Sequence, residues 1–155
     1  MSSTWDRLHA RSSVVNTILS HVADGMSAAT ACSGVAGVWD HFEDESHLLR
    51  ELQGRWFHSL AACVDNALEL GQGDLAEDVR RAYRDAADRH WGLRRILDHY
   101  ASHPTLEPLV RREHALLARA AGVAHADELF ARPVLIPSQR KRSLLSRVFS
   151  PAHAA

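Results

Sequence analysis

Four side chains have the spacing that metal binding requires. His47 and Glu51 lie four residues apart, and so do His99 and His103, a spacing that brings two side chains to one side of a helix. Imidazole and carboxylate groups placed in this way are ligands for transition metals. His103, however, directly precedes Pro104, where a helix ends, and His47 lies beside the apolar stripe of its helix. We therefore expect solvated surface histidines, and we expect the chain to hold no metal or other cofactor.

The same four residues resemble part of the hemerythrin pattern, in which a His-x-x-x-Glu pair and a His-x-x-x-His pair hold two irons inside a four-helix bundle. That family also has a His followed five residues later by an Asp, and this sequence contains no such pair. A hemerythrin-like metal-binding bundle is kept as an alternative function.

His90 differs from these histidines because it lies on the inner stripe predicted for its helix. A single histidine at such a position is most often a hydrogen-bonded core residue. It is also the best candidate here for a group that senses pH or contacts a ligand. If the protein binds a small apolar ligand, we expect the contacts to come from His90, Trp91, Trp56 and Tyr83.

No catalytic signature supports an enzyme. The sequence has no nucleophile elbow, P-loop, dinucleotide-binding glycine run or paired-carboxylate site. The segments from Arg84 to His90 and from Arg94 to His99 fit the Arg-to-His spacing of the HEPN class of helical ribonucleases. Such spacings are expected by chance in a chain with 17 arginines and 11 histidines. We predict a non-enzymatic protein.

The elements that position these side chains all have helical periodicity, since apolar residues recur every three or four positions. A first helix runs from Ser3 to Gly25. The segment that follows it is the second candidate, described below, and the third helix runs from about Asp44 to Gly71. The fourth starts with a capping box at Asp74 and Glu77 and ends at Pro104, with a possible kink at Gly92. A further helix ends at Gly122, and a brief one spans 127–130. Residues 27–34 are small and predict a poor helix. The pattern predicts an all-α bundle of five or six helices.

Length and composition indicate one domain of 155 residues. The net charge is −1, no apolar run is long enough to span a membrane, and two cysteines without a signal peptide suggest a cytoplasmic protein. We place the bundle at 1–131 and a basic tail at 132–155. Residues 133–137 read as extended, and Arg140, Lys141 and Arg142 are candidates for an interaction with an anionic surface.

One local motif resembles the end of the DNA-binding domain of the tetracycline-repressor (TetR) family. There, an aromatic residue, any residue, His or Tyr, and then Phe close the recognition helix, and Trp39, His41 and Phe42 occupy these places. Leu48 and Leu49 match the start of the long helix that follows. Residues 90–97 and the break near Pro104 resemble the ligand-binding half of such regulators.

The resemblance implies a homodimer, because the last two long helices of such regulators pair across a two-fold axis. In this chain that implicates the helix carrying Leu109 and Leu117. Residues 12–49 contain five acids and no Lys or Arg, whereas DNA binding depends on cationic side chains that neutralise phosphates. We therefore predict a homodimeric regulatory or interaction module that does not bind DNA; a TetR-like DNA-binding regulator with an aberrant head is the other alternative.

Overall fold

The computed structural model describes residues 4–71 and 73–131, and all regular elements in these ranges are helical. The all-α prediction is confirmed for this part of the chain. It contains eight α-helices, more than the five or six expected, because the four-residue helix at 38–41 was not anticipated and the predicted fourth helix is divided. The helices are α1 (Thr4–Ala23), α2 (Ala28–Gly34), α3 (Val38–His41), α4 (Glu45–Glu69), α5 (Leu75–Arg89), α6 (Trp91–His99), α7 (Glu107–Ala121) and α8 (Asp127–Phe130).

Residues 28–34, where a poor helix was expected, form the seven-residue helix α2. Ser27 caps α2, since its Oγ accepts a hydrogen bond from the Thr30 backbone N–H over 3.2 Å. Gly37 has a φ of +79°, a conformation that favours glycine, and it opens the four-residue helix α3. Small side chains allow α2 to pack closely, and the buried ones are Ala28, Ala31 and Cys32. We call α1, α2 and α3 together the head.

Helix α4 is the central element of the fold. Asp44 caps its start by accepting a hydrogen bond from the His47 backbone N–H over 2.7 Å. It ends before Gly71, where a Cβ atom would overlap the Asp78 carboxylate and lie 2.9 Å from the Ala67 carbonyl oxygen. Its fully buried side chains include Leu48, Leu49, Leu52, Trp56 and Leu60. The helix contacts α5, α6 and α7, so most of the core forms around it.

The predicted fourth helix is two helices that meet at His90. Asp74 Oδ1 accepts a hydrogen bond from the Glu77 backbone N–H over 3.0 Å, as the capping box predicted. His90, with φ −117° and ψ 36°, ends α5 and precedes α6. The break therefore comes two residues before Gly92, the position at which a kink was expected.

Helix α6 connects the head to the rest of the fold. It contacts α1 and α2 of the head, and it also contacts α4 and α5. A Cβ atom on Gly92 would lie 3.8 Å from both the Leu19 carbonyl oxygen and the Val22 side chain, so the backbones of α6 and α1 approach closely there. A displacement of α6 would therefore alter its contacts with the head.

The basic segment predicted at 132–155, with Arg140, Lys141 and Arg142, lies outside the described residues. Among the helices of residues 4–131 that are described, none combines the length and the apolar character needed to cross a membrane.

Candidate functional site

A polar cluster lies inside the core. Gln53 on α4 and Glu113 on α7 are only 2% and 3% exposed, and Gln53 Nε2 donates a hydrogen bond of 2.7 Å to Glu113 Oε2. Arg94 on α6 brings its Nη1 to 3.9 Å from Glu113 Oε1. Buried polar groups are costly unless they are paired, so this cluster fixes how three helices pack. Sequence reasoning missed it, although Glu113 lies on the same stripe as Leu109 and Leu117.

Trp56 and Tyr83, two of the predicted ligand contacts, lie next to this cluster. Their rings meet edge to face at 5.7 Å, and the Arg94 guanidinium lies over the Trp56 ring at 5.1 Å. Trp56 is fully buried, and its Nε1 has no hydrogen-bond partner among the described residues. Burial raises the pKa of the Tyr83 hydroxyl. Phe130 also packs against Tyr83, with ring centroids 5.0 Å apart.

The other two predicted ligand contacts lie elsewhere. His90 is half-buried at the break between α5 and α6, and Trp91 is 46% exposed. The structure therefore brings Trp56 and Tyr83 together but does not gather the four residues into one site. The apolar periodicity predicted His90 on the inner stripe of one continuous helix, because no local signal indicates that the helix ends at this residue.

His90 and His58 line a surface groove. One lobe, of about 430 Å³, lies between α4 and α5, and a second, of about 610 Å³, lies between α1, α4 and α6. His58, Ser59 and His90 line both lobes, and we call the two lobes together the histidine groove. The groove is open, and its lining mixes apolar with charged side chains. A helical surface of this kind can hold a small polar molecule.

Two free cysteines occupy different environments. Cys63 lines the histidine groove, and its Sγ lies 3.9 Å from Arg89 Nη1. Cys32 is buried in the head; burial, followed by the nearby Glu45 charge, raises its pKa to about 11. The accessible thiol is therefore Cys63.

The head contains a second cavity, of about 430 Å³, and three exposed apolar side chains. This cavity is lined by Thr4, Arg7, Leu8, Arg11, Asp40 and His41. Arg11 Nε donates to the His41 carbonyl oxygen over 3.1 Å and so ties α1 to α3. Trp5, Leu8 and Trp39 are 67%, 54% and 49% exposed. We call these three residues the head patch.

A third cavity, of about 790 Å³, lies between α5 and α8 at the end of the described residues. It is lined by Glu77, Arg80, Tyr83, Arg84, Glu128, Leu129, Phe130 and Ala131. Arg80 Nε donates to the Leu129 carbonyl oxygen over 2.9 Å and holds α8 against α5. We call this space the terminal cavity.

The histidines with metal-ligand spacing have local partners. His47 Nδ1 accepts from the Glu43 backbone N–H over 3.4 Å, while Glu51 pairs with Arg55 at 3.0 Å. His103 Nδ1 accepts from the Thr105 backbone N–H over 3.3 Å. Within the described ranges, no group of three or more His, Cys, Asp or Glu side chains could hold a metal ion.

The two leucines predicted at a dimer interface face inward. Leu117 is 1% exposed in the core of its own chain, and Leu109 packs against that core. A side chain buried in its own chain cannot contribute contact area to a second copy. The exposed face of α7 is formed instead by polar residues and alanine, among them Arg111, His114, Ala115 and Arg119.

Comparisons with protein-family models, with curated proteins and with solved structures find no match for the chain.

Proposed function

We propose that the chain is a non-enzymatic regulatory module that acts through protein–protein contact and associates with a second copy of itself through the head patch. The observation that carries this proposal is the exposure of three large apolar side chains of the head, Trp5 and Leu8 on α1 and Trp39 on α3. Large exposed apolar patches on soluble proteins commonly mark interaction sites, and aromatic residues are enriched in them.

The charges around the head patch support self-association. Arg7 and Asp40 both line the cavity beside it, and both are exposed. In a two-fold symmetric dimer the same patch meets itself, so a patch must be self-complementary. A patch that carries a cation and an anion meets this condition, because Arg7 of one copy can face Asp40 of the other.

The order of the first four helices supports a relation in outline to TetR-like regulators: a long helix, two short ones and then a second long helix. The head is nevertheless poorly suited to DNA. Helix α3 has only four residues, and Asp40, Glu43, Asp44 and Glu45 are all exposed around it. A duplex would be repelled by these carboxylates.

Light scattering coupled to size-exclusion chromatography tests self-association. We expect a mass of twice the 17.2 kDa of one chain. Trp39→Glu and Leu8→Glu should each reduce it to the mass of one chain. Trp91→Glu is the matched control, because Trp91 is 46% exposed, close to the 49% of Trp39, and lies on α6, outside the head. A wild-type monomer at every concentration, or equal loss in the Trp39 and Trp91 variants, would contradict the proposal.

DNA binding is tested separately with a labelled mixed-sequence duplex. We expect no binding at low salt. Binding that weakens steeply with added salt, as phosphate contacts require, would instead support the alternative of a DNA-binding regulator.

The histidine groove favours a second candidate function, the sensing of a small molecule. His90 lines both lobes of the groove and directly precedes α6, the helix that contacts the head. A ligand bound there could therefore act on the head through α6. In a thermal-shift screen, a supporting compound would raise the unfolding temperature of the wild type and of His125→Ala, an exposed control, but not of His90→Ala. If no compound in a broad screen of metabolites behaves in this way, the second function loses its support.

A further inference from the structure

Arg89 lines the lobe of the histidine groove between α4 and α5 and is not paired with an acid. It is exposed at the end of α5 and forms no ion pair with a carboxylate in the described part of the chain. Its Nη1 instead lies 3.9 Å from Cys63 Sγ, and a neutral thiol is only a weak acceptor. The other arginine of this lobe, Arg81, is already paired with Asp78. The donors of Arg89 are therefore the ones that a bound molecule could engage.

The rest of this lobe combines polar donors with apolar surface. His58, Ser59 and Asn66 contribute polar side chains from α4. One acid, the exposed Asp85, also lines the lobe, and it would repel a ligand with several negative charges. The lobe therefore suits a molecule with one anionic group and an apolar body. The apolar part of the lining consists of Ala62, Ala67, Leu70 and Ala82.

We propose that this lobe binds an organic monocarboxylate, with the carboxylate on Arg89 and the body against the apolar part of the lining. The planar guanidinium offers paired N–H donors whose geometry matches that of a carboxylate. A charged acceptor also forms stronger hydrogen bonds with it than the Cys63 thiol does. An alkyl or aryl body would remove apolar surface of the groove from water. This inference rests on the second candidate function, the sensing of a small molecule in the histidine groove, and it does not depend on self-association through the head patch.

Benzoate and benzamide test the proposal on the full-length chain, because the two molecules have nearly the same shape and differ in charge. Binding is followed by two-dimensional NMR of the backbone amides. We expect benzoate to shift the amides of Cys63 and Arg89 in a saturable way. Benzamide should bind about tenfold more weakly, since it cannot form charge-assisted hydrogen bonds with the guanidinium.

Arg89→Gln should weaken the binding of benzoate by about tenfold and leave the binding of benzamide as in the wild type. Arg119→Gln is the matched control, because Arg119 is also an exposed helical arginine without an ion pair in the described ranges, and it does not line this lobe. This variant should bind benzoate as the wild type does. Unchanged amide positions outside the groove would show that both variants keep the fold.

Three results would overturn the proposal: no saturable shift with benzoate, equal binding of benzoate and benzamide, or full binding of benzoate by Arg89→Gln. The second candidate function fails on a different result, the absence of any metabolite whose stabilising effect requires His90. An uncharged metabolite that stabilises the protein through His90, together with equal binding of benzoate and benzamide, would therefore support sensing and exclude the carboxylate site.

Discussion

Gln53 and Glu113 join α4 to α7 through a hydrogen bond of 2.7 Å between two side chains that are almost completely buried. Arg94 approaches the same carboxylate from α6 and also lies over the Trp56 ring. Three helices therefore meet at one carboxylate in the core. Because a buried acceptor without a partner is penalised more than a buried pair is rewarded, the cluster disfavours any other packing of these helices.

Gln53→Leu should reveal that penalty. The substitution keeps the approximate volume but leaves Glu113 without its amide donor, and we expect the free energy of unfolding to fall by about 1 to 3 kcal/mol. Urea denaturation followed by circular dichroism measures it. Glu107→Gln is the control on α7, the helix of Glu113, because the Glu107 side chain is 70% exposed and its one ion pair among the described residues is with Arg111, at 3.7 Å; its effect should stay below about 0.5 kcal/mol. Equal effects of the two variants would mean that the buried pair does not fix the packing.

Trp56 combines full burial with an indole N–H that has no partner among the described residues. Trp56→Phe removes this N–H and keeps most of the ring, so the lost packing is partly offset and the cost should be below about 1.5 kcal/mol. Trp56→Ala leaves a cavity and should cost about 3 to 5 kcal/mol. Thermal and urea unfolding of both variants check this order. A Phe variant as unstable as the Ala variant would show that the N–H has a partner in solution, such as a water molecule.

Alanine substitutions at Gly54, inside α4, and at Gly71, just after its end, should change the stability of the fold in opposite directions. A Cβ at Gly71 would overlap the Asp78 carboxylate, so Gly71→Ala should destabilise the fold by about 1 to 3 kcal/mol. Gly54 lies inside α4 with nothing within 4 Å of its added Cβ, so Gly54→Ala should stabilise the fold by about 0.5 to 1 kcal/mol. Unfolding temperatures of the two variants relative to the wild type decide the matter; a shared sign would contradict this account of Gly71.

Much of the fold could be predicted from local signals. The apolar spacing of α1 and α4, the stop at Gly71 and the capping box at Asp74 all act within a few residues, and each is where the sequence indicated. The break at His90 was not predicted in this way, because periodicity records only local signals, whereas α6 also packs against α1, a contact between distant parts of the chain.

The candidate sites were harder to predict, for a related reason. Gln53 and Glu113 lie on apolar stripes, three residues before Trp56 and four before Leu117. A polar residue on such a stripe has a buried hydrogen-bond partner only if a matching residue faces it from another helix, and the stripe does not show this. Trp56 and Tyr83, two of the four expected ligand contacts, lie next to each other with ring centroids 5.7 Å apart. Leu117 was expected at a dimer interface from the resemblance to TetR-like regulators, and it is 1% exposed in the core of its own chain; an apolar stripe alone does not distinguish a chain's own core from a surface shared with a second copy.

The two cysteines should differ in reactivity. Cys63 is only partly buried and lies beside Arg89, whereas Cys32 is buried and its pKa is raised to about 11, which disfavours the reactive thiolate. Titration with a disulfide reagent at neutral pH should show one fast thiol per native chain and a second only after unfolding. Cys63→Ser should remove the fast phase, and Cys32→Ser should retain it. A fast phase that survives Cys63→Ser would contradict the assignment.

Glu77 should make stability depend on pH at the start of α5. Hydrogen bonds from Arg84 and Arg80 hold the pKa of its carboxyl below the ordinary value of 4.5. A carboxyl whose pKa is lower in the folded than in the unfolded chain stabilises the fold above the unfolded-state value, and that contribution is lost as the pH falls through the folded-state value. Glu77→Gln should therefore lower the unfolding temperature at about pH 7, and the difference from the wild type should disappear at about pH 2. Glu69→Gln, an exposed acid on α4 with no ion pair in the described part of the chain, is the control and should show little difference at either pH. A Glu77→Gln effect of the same size at both pH values would mean that the variant acts through helix packing rather than through the charge of Glu77.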